Sequence, residues 1–257
     1  LLIKNQSLIK TKSFKFYKYL GDPVNVTRIY LEKGADELII NDCSAFKTGI
    51  NFNFLEKIAS NSFIPITYAG NIKNIDEIKK LIHIGIERVA IGIYQEKDWD
   101  LIIEASSYLG NSGVCSILNI GHNKLLRMKM LYNYKKKRFK YRYNLEKVIE
   151  DANAVARGEI ILVDCSNDGT REGFSLHKYR NHFKENIPIT AYGGVKDYLE
   201  CQNLWKKNFN GVASSAFLSL LRPHDALLIN YPKEHLEVLN KDLTPTRVSI
   251  DRYSNIN

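Results

Sequence analysis

No stretch of this 257-residue chain approaches the ~20 consecutive apolar residues that a membrane-spanning helix needs. No membrane segment is expected. A secretory signal is lacking too, and the chain opens "LLIKN" without Met, so a few residues are expected to precede it. Cysteines are few and scattered: Cys43, Cys115, Cys165 and Cys201, with no C-x-x-C spacing. That argues against a zinc site and a disulfide framework and fits a reducing cytoplasm. No cofactor and no metal are expected. Acidic residues are missing from one stretch. Residues 123–143, "NKLLRMKMLYNYKKKRFKYRY", hold nine Lys/Arg and no Asp or Glu. The net charge is +9, so the remainder is close to neutral and the basicity is local.

What is present is an alternation of short β-branched runs and longer amphipathic stretches. "LLIK", "ELIIND", "IPITYA", "RVAIGI", "GVCSILNI", "EIILVDC", "IPITAY" and "GVASSAF" read as eight strands. Helical stretches such as "IDEIKKLIHIG" and "LEKVIEDANAVA" lie between them. Strands without polar alternation suggest a parallel sheet covered on its outer face. Two phrases recur. "IPITYAGN" returns as "IPITAYGG" 123 residues later, and "INDCSA" returns as "LVDCSN" 122 residues later. Eight β-α units with a duplicated half predict an α/β fold: a (βα)8 TIM barrel with a half-barrel internal repeat. An open doubly wound sheet is the alternative. The barrel is expected to span 1–235, with a polar C-terminal tail over 236–257.

In such a barrel, ligand groups sit on the loops after the strands. "SNDGTREG", "GGVK" and "SSAF" follow strands six, seven and eight. Glycine lets backbone N–H groups approach an anion, and a helix start adds positive potential. Asp168, Gly169, Thr170, Gly193, Gly194, Ser214 and Ser215 are therefore candidates to wrap one phosphate. Each loop alone would pass for a tight turn. The first half offers Gly70 and Gly92 as a second, altered anion site or as structural turns.

"GDPVNVTRIYLEKGADELIINDCSA", the Asp-Gly-Thr loop and the paired glycine loops resemble the cyclase subunit of imidazole glycerol phosphate synthase, from residue 1 to about 217. The resemblance implies a substrate with two phosphates. It implies a glutaminase partner at the N-terminal face, ammonia passing through the barrel, and two catalytic aspartates. Lys10 matches a lysine of the mobile first loop. Glu37, Arg88 and Glu159 match charged residues ringing the ammonia entrance; the bland reading is a salt-bridged plug. Leu2 and Asn119 stand where the aspartates belong. Neither can exchange a proton, so the ordinary cyclase and lyase reaction is in doubt. "LLIKNQSLIKT" and "ALLINYP" resemble a narrower branch that serves sugar amidation in surface polysaccharide (lipopolysaccharide) synthesis, beside a sugar amidotransferase. The histidine-biosynthesis cyclase and a catalytically silent scaffold are the alternatives. Asn119, Lys10 and Asp42 are the catalytic candidates, although strict alternation from a core-facing Glu37 turns Asp42 outward.

The alternating basic and aromatic residues from Tyr132 to Tyr143 suit a hairpin over the barrel mouth. It would meet a phosphorylated small molecule, a nucleotide sugar or an acidic partner surface, or stand solvated. Nucleic acid is disfavoured. His83 and His122 read as helix and loop residues, and Cys43 and Cys165 as repeat-equivalent packing residues.

Overall fold

A computed structural model describes residues 1–215, except 33–34, 124, 127, 134–135, 137, 140–143 and 156–157. It also describes a short antiparallel pair, Leu220–Leu221 with Ala226–Leu227. The end of "GVASSAF", most of "ALLINYP", the tail 236–257 and much of the basic stretch lie outside the described residues.

Eight strands form the barrel: β1 Leu2–Lys4, β2 Leu38–Asp42, β3 Ile66–Ala69, β4 Arg88–Gly92, β5 Val114–Asn123, β6 Glu159–Asp164, β7 Ile189–Tyr192 and β8 Gly211–Ala213. Parallel ladders join them in chain order from β1 to β8. An open doubly wound sheet would reverse its strand order at a switch point, and none occurs here. No ladder joins β8 to β1 among the described residues. Leu2 and the Ser214–Ser215 turn nevertheless line one small pocket, so the two end strands face each other. The fold is the expected (βα)8 barrel.

The helices are α1 Pro23–Glu32, α2 Ala45–Thr48, α3 Phe52–Ala59, α4 Ile75–His83, α5 Asp98–Leu109, α6 Leu145–Val155 and α7 Tyr198–Trp205. After β6 the expected helix is a 3₁₀ stretch, His177–His182. Outward strand residues such as Ile40, Tyr68, Val89, Leu118 and Ile160 pack on Leu55, Ile78, Leu81, Ile102 and Val148 of the helices. That packing is the main core. The barrel interior is a smaller cluster containing Ala69, Ala90, Cys115, Ile117, Ile161 and Val163. Interiors of this kind are commonly filled by bulky branched residues. Alanine and cysteine at three of these positions leave a lumen.

The half repeat extends into the helix caps. Asn74 caps α4 by accepting from the Glu77 amide at 3.0 Å, and Glu77 reaches back to the Lys73 amide at 2.7 Å. Asp197 caps α7 in the same way through Glu200 at 2.8 Å, and Glu200 reaches the Lys196 amide at 2.8 Å. Both are capping-box arrangements, which satisfy otherwise orphaned N–H groups at a helix start.

Two hairpins cover the mouth. The first, Ser7–Lys12 with Lys15–Gly21, pairs antiparallel with β1. Its turns are Asn5–Gln6 and Ser13–Phe14, all four at φ between 49° and 59°. A phenylalanine rarely holds this conformation. Phe14 is held there by packing against the interior cluster and the Tyr132 ring, 6.3 Å between centroids. The second hairpin extends β5, which pairs antiparallel with Met128–Asn133, itself paired to Arg138–Phe139. The basic-aromatic stretch is thus a hairpin at the mouth over its described part. It places Tyr132, Asn133 and Lys136 on the cavity below.

Candidate functional site

The floor of the barrel is built from residues at the start of the even strands: Glu37, just before β2, and Arg88 and Glu159, the first residues of β4 and β6. Arg88 Nη1 donates to Glu37 Oε1 at 2.7 Å, and Nη2 donates to Glu159 Oε2 at 2.5 Å. Arg88 Nε is spent on the Ser112 carbonyl at 2.9 Å. Thr67 adds its hydroxyl to Glu37 at 2.6 Å. A planar guanidinium can serve two carboxylates and a carbonyl at once, which a lysine could not do in fixed geometry. Glu37, Arg88 and Glu159 therefore meet in one ion-paired cluster at the floor.

Above this floor lies one cavity of about 1710 Å³. Glu37, Arg88 and Glu159 line its lower end, Ala90, Ile161 and Thr190 its middle, and Asn41, Asn119, Tyr132 and Asp168 its mouth. It also reaches past Val212 to Cys201 and Trp205, along the edge of β8 that carries no ladder. Leu2 and Asn119 face this space. Asn119 Nδ2 donates to Tyr94 Oη at 2.9 Å, and the Cys165 thiol approaches Asn119 Oδ1 at 3.9 Å. Neither position offers a titratable group.

A second, small pocket opens beside the mouth. It is lined by Lys10 and Thr11 of the first hairpin, Asp168 and Gly169 after β6, Tyr192, Gly193 and Gly194 at β7, and Ser214 and Ser215 after β8. Loops from three strand ends thus converge on it. They are tied to each other. Gly173 N of the β6 loop donates to the Gly194 carbonyl of the β7 loop at 2.9 Å, while Asn167 Nδ2 braces the β6 loop itself by donating to the Gly173 carbonyl at 2.8 Å. Gly193 and Gly194 have φ of 99° and 85°, and a Cβ on either would lie 2.6 Å from neighbouring atoms. Gly169 is required for a different contact: a Cβ there would meet the Thr11 carbonyl at 2.0 Å. The hairpin docks on this loop through Ser13 N to the Asp168 carbonyl, 2.7 Å, and Thr11 Oγ1 to Asp168 Oδ2, 3.0 Å.

With this geometry in view, the relatives are informative. A sequence profile of the family described as "Histidine biosynthesis protein" matches residues 2–219. The chain belongs to that family. It is 33% identical over 240 residues to the Leptospira borgpetersenii protein called "Putative imidazole glycerol phosphate synthase subunit HisF", covering 90% of this chain and 92% of that one. It is 28% identical to "Imidazole glycerol phosphate synthase subunit HisF" of Clostridium beijerinckii, covering 93% and 94%. It is 30% identical to the Pseudomonas aeruginosa protein called "Putative imidazole glycerol phosphate synthase subunit hisF2", covering 90% and 93%.

The site of this histidine biosynthesis family barrel departs from the expectations at several places. Thr170 does not line the small pocket. Its hydroxyl donates to the Asn167 carbonyl at 2.8 Å and accepts from the Glu172 amide, closing the loop's own turn. Gly70 and Gly92 line the large cavity and not the small pocket. Tyr68 Oη would stand 2.1 Å from a Gly70 Cβ, and the Tyr94 ring 2.9 Å from a Gly92 Cβ. Asp42 accepts from the Ser44 and Ala45 amides at 2.8 and 3.2 Å, capping the turn into α2. Its repeat partner Asp164 caps the equivalent turn through the Ser166 and Asn167 amides. Cys43 lines the large cavity, whereas Cys165 is buried; burial pushes the Cys43 thiol up to about 12, which keeps it protonated. His83 and His122 are exposed. Among the described residues no three His, Cys, Asp or Glu are grouped to hold a metal, and no helix is long and apolar enough to cross a membrane.

Sequence reading missed Tyr94, Tyr192 and Thr11. The exchange of "YA" for "AY" between the two copies of the repeated phrase was the available signal for Tyr192.

Asp168 lines the small pocket, and burial pushes its carboxyl up to about 6, while the Thr11 hydroxyl and Lys10 pull it back. Above pH 6 it adds a negative charge beside the pocket. Sulfate does not titrate in this range and serves as the probe. Its affinity, measured calorimetrically, is expected to fall about tenfold from pH 5 to 7.5, the scale of one pK unit of interaction. Asp168→Asn should flatten that profile, and an unchanged slope would remove Asp168 from the pocket's electrostatics. The stability linkage has a definite sign. The folded chain keeps this proton between pH 3.8 and about 6 and the unfolded chain does not. The contribution is therefore present at low pH and is lost as pH rises through 6.

Proposed function

We propose that this barrel is the ammonia-accepting subunit of a glutamine amidotransferase system. A glutaminase docks on the N-terminal face, ammonia enters through the Glu37–Arg88–Glu159 ring, and a phosphorylated ligand is held at the mouth. The observation that carries this reading is the single cavity lined at one end by that ring and at the other by the mouth. A barrel that only scaffolded a partner would have no need of an open interior. The acceptor is a sugar, aminated or amidated in cytoplasmic steps of surface polysaccharide synthesis with a sugar amidotransferase. Supporting that branch, Leu2 and Asn119 fill the positions where the cyclase chemistry needs carboxylates.

The test is co-purification with a glutaminase encoded beside it. Glutamine hydrolysis is expected to rise on complex formation. No complex, or no change in hydrolysis, counts against the conduit. A second reading, the histidine-pathway cyclase, is favoured by the likeness to proteins bearing the synthase subunit name. It requires the chain to complement a cyclase-deficient histidine auxotroph. Failure to do so is the expected result, because an amide and an alkyl chain cannot perform general acid–base catalysis.

A further inference from the structure

Lysines gather at the mouth of the large cavity. Lys47 on α2, Lys73 before α4, Lys97 before α5 and Lys136 of the second hairpin all line it and are exposed. Lys4, at the end of β1, lines it too. The ends of β1, β2, β3 and β4 are neighbours in the barrel, so these cations run round the first-half rim. Among the described residues Lys47, Lys73, Lys97 and Lys136 make no ion pair, whereas Lys79 and Lys147 on outer helices pair with Asp76 and with Glu150 and Asp151. Three carboxylates also line the mouth, and each is bonded by its own surroundings. Asp42 accepts from the Ser44 and Ala45 amides, Asp98 from the Tyr94 and Gln95 amides at 2.7 and 3.0 Å, and Asp168 from Thr11. Helix starts on this face add to the positive potential.

The second hairpin adds an apolar edge to the same face. Beyond the last β5–β6 pair, Ile120 with Asp164, residues 121–123 run on past the barrel against Met128–Met130. The turn between them presents Leu125 at 88%, Leu126 at 47% and Met128 at 51% exposure. This turn is braced. Asn123 Oδ1 accepts from the Leu125 and Leu126 amides at 3.0 and 3.2 Å, and Lys129 Nζ donates to Ser175 Oγ at 2.7 Å. Three large apolar side chains are thus held in water, at a cost that a partner surface would recover. The stretch that carries them, 123–143, has nine Lys/Arg and no acid.

Resting on the conduit reading, we infer that the mouth is a docking face for a second protein, the acceptor enzyme. Its surface is acidic against the lysine rim and apolar against the hairpin turn. Ammonia needs such a cover. In open water at neutral pH it is almost wholly ammonium, which has no lone pair for attack. Leu2 and Asn119 give the mouth no carboxylate to take that proton back. A protein seated over the rim excludes water between the cavity and its own site, so ammonia crosses unprotonated. The rim lysines oppose passage of ammonium and leave neutral ammonia untouched. Exposed charges spread over several loops suit a broad protein interface, where rim charges steer association and a central apolar contact slows release. A lipid surface would also attract lysines, but it carries no acceptor site.

The experiment is surface plasmon resonance on the full chain, with the purified sugar amidotransferase encoded beside it as the probe. Wild type should bind it, with an association rate that falls steeply between about 50 and about 500 mM salt. Lys47→Glu, Lys73→Glu and Lys97→Glu combined should slow association at least about tenfold at low salt and far less at high salt. The control triple Lys57→Glu, Lys80→Glu and Lys178→Glu makes the same charge change at exposed positions that do not line the cavity. It should slow association by less than about threefold. Leu125→Ser with Leu126→Ser should leave association alone and speed dissociation about tenfold. All these side chains are exposed, so melting temperatures should stay close to wild type. No binding by wild type, or equal rates for the two triples, would overturn the inference. So would sedimentation with phosphatidylglycerol vesicles in place of amidotransferase binding, which would make this face a lipid surface. The glutaminase response is read separately. Docking without that response removes only the conduit, and the response without docking removes only this inference.

Discussion

Gly194→Ala is expected to weaken phosphate binding roughly 100-fold, a loss of nearly 3 kcal/mol. The residue has φ +85°, where an L side chain costs about 1–2 kcal/mol. The added methyl would lie 2.6 Å from both the Gly173 carbonyl oxygen and Asn167 Cβ. Backbone oxygen cannot rotate away as a flexible side chain can. The β6 and β7 loops must separate, and the bond that joins them, Gly173 N to Gly194 O, stretches or breaks, as does the Asn167 Nδ2 to Gly173 O bond that braces the β6 loop. Since the pocket consists of those loops, its shape goes with them. Gly110→Ala is the control. It has φ +76° but nothing within 4 Å of its Cβ, so it should lower stability by about 1 kcal/mol and leave phosphate affinity alone. Isothermal calorimetry with inorganic phosphate and thermal melts of both variants separate the two effects. Equal phosphate binding by wild type and Gly194→Ala would remove the pocket from consideration as an anion site.

That pocket was largely legible because its residues owe their place to chain order. In a parallel barrel every strand end reaches the same face, so Asp168, Gly193 and Ser214 had to converge once strands six to eight were recognised. The floor ring was legible for the same reason. Arg88 and Glu159 begin even strands and Glu37 immediately precedes one, and even strands share a layer. What could not be read were positions decided by contacts distant in sequence. The first hairpin is one: its Ser13–Phe14 turn contains neither glycine nor asparagine, and only docking on Asp168 and Ser166 and the packing of Phe14 hold it. Thr170 is another, because loop composition cannot say which hydroxyl closes its own turn. The occlusion of Gly70 and Gly92 is a third. Glycine marks close approach of something, and sequence did not show that the something was Tyr68 and Tyr94 of the same chain.

The second large effect is expected at the floor. Arg88→Ala leaves Glu37 and Glu159 facing each other across the lower end of the lumen with no cation between them. Glu37 keeps the Thr67 hydroxyl, and Glu159 keeps only the weak approach of the Cys115 thiol at 4.0 Å. Removing one member of a buried ion pair costs more than the pair contributes, because the remaining charge stays desolvated. The side chains here are 17% to 33% exposed, which discounts the effect to about 2–3 kcal/mol. For a domain of this size that lowers Tm by about 4–12 °C. The triple variant Glu37→Gln, Arg88→Ala, Glu159→Gln should recover most of that loss, since the repulsion has gone. The same pair of proteins tests what the ring does beyond stability. In complex with a glutaminase, a plug and a gate give different results when stability is restored. If the ring only fills the floor, the triple variant transfers ammonia as wild type does. If the ring admits ammonia, the triple variant is stable and still uncouples glutamine hydrolysis from product formation, because the charges that order the entrance are absent.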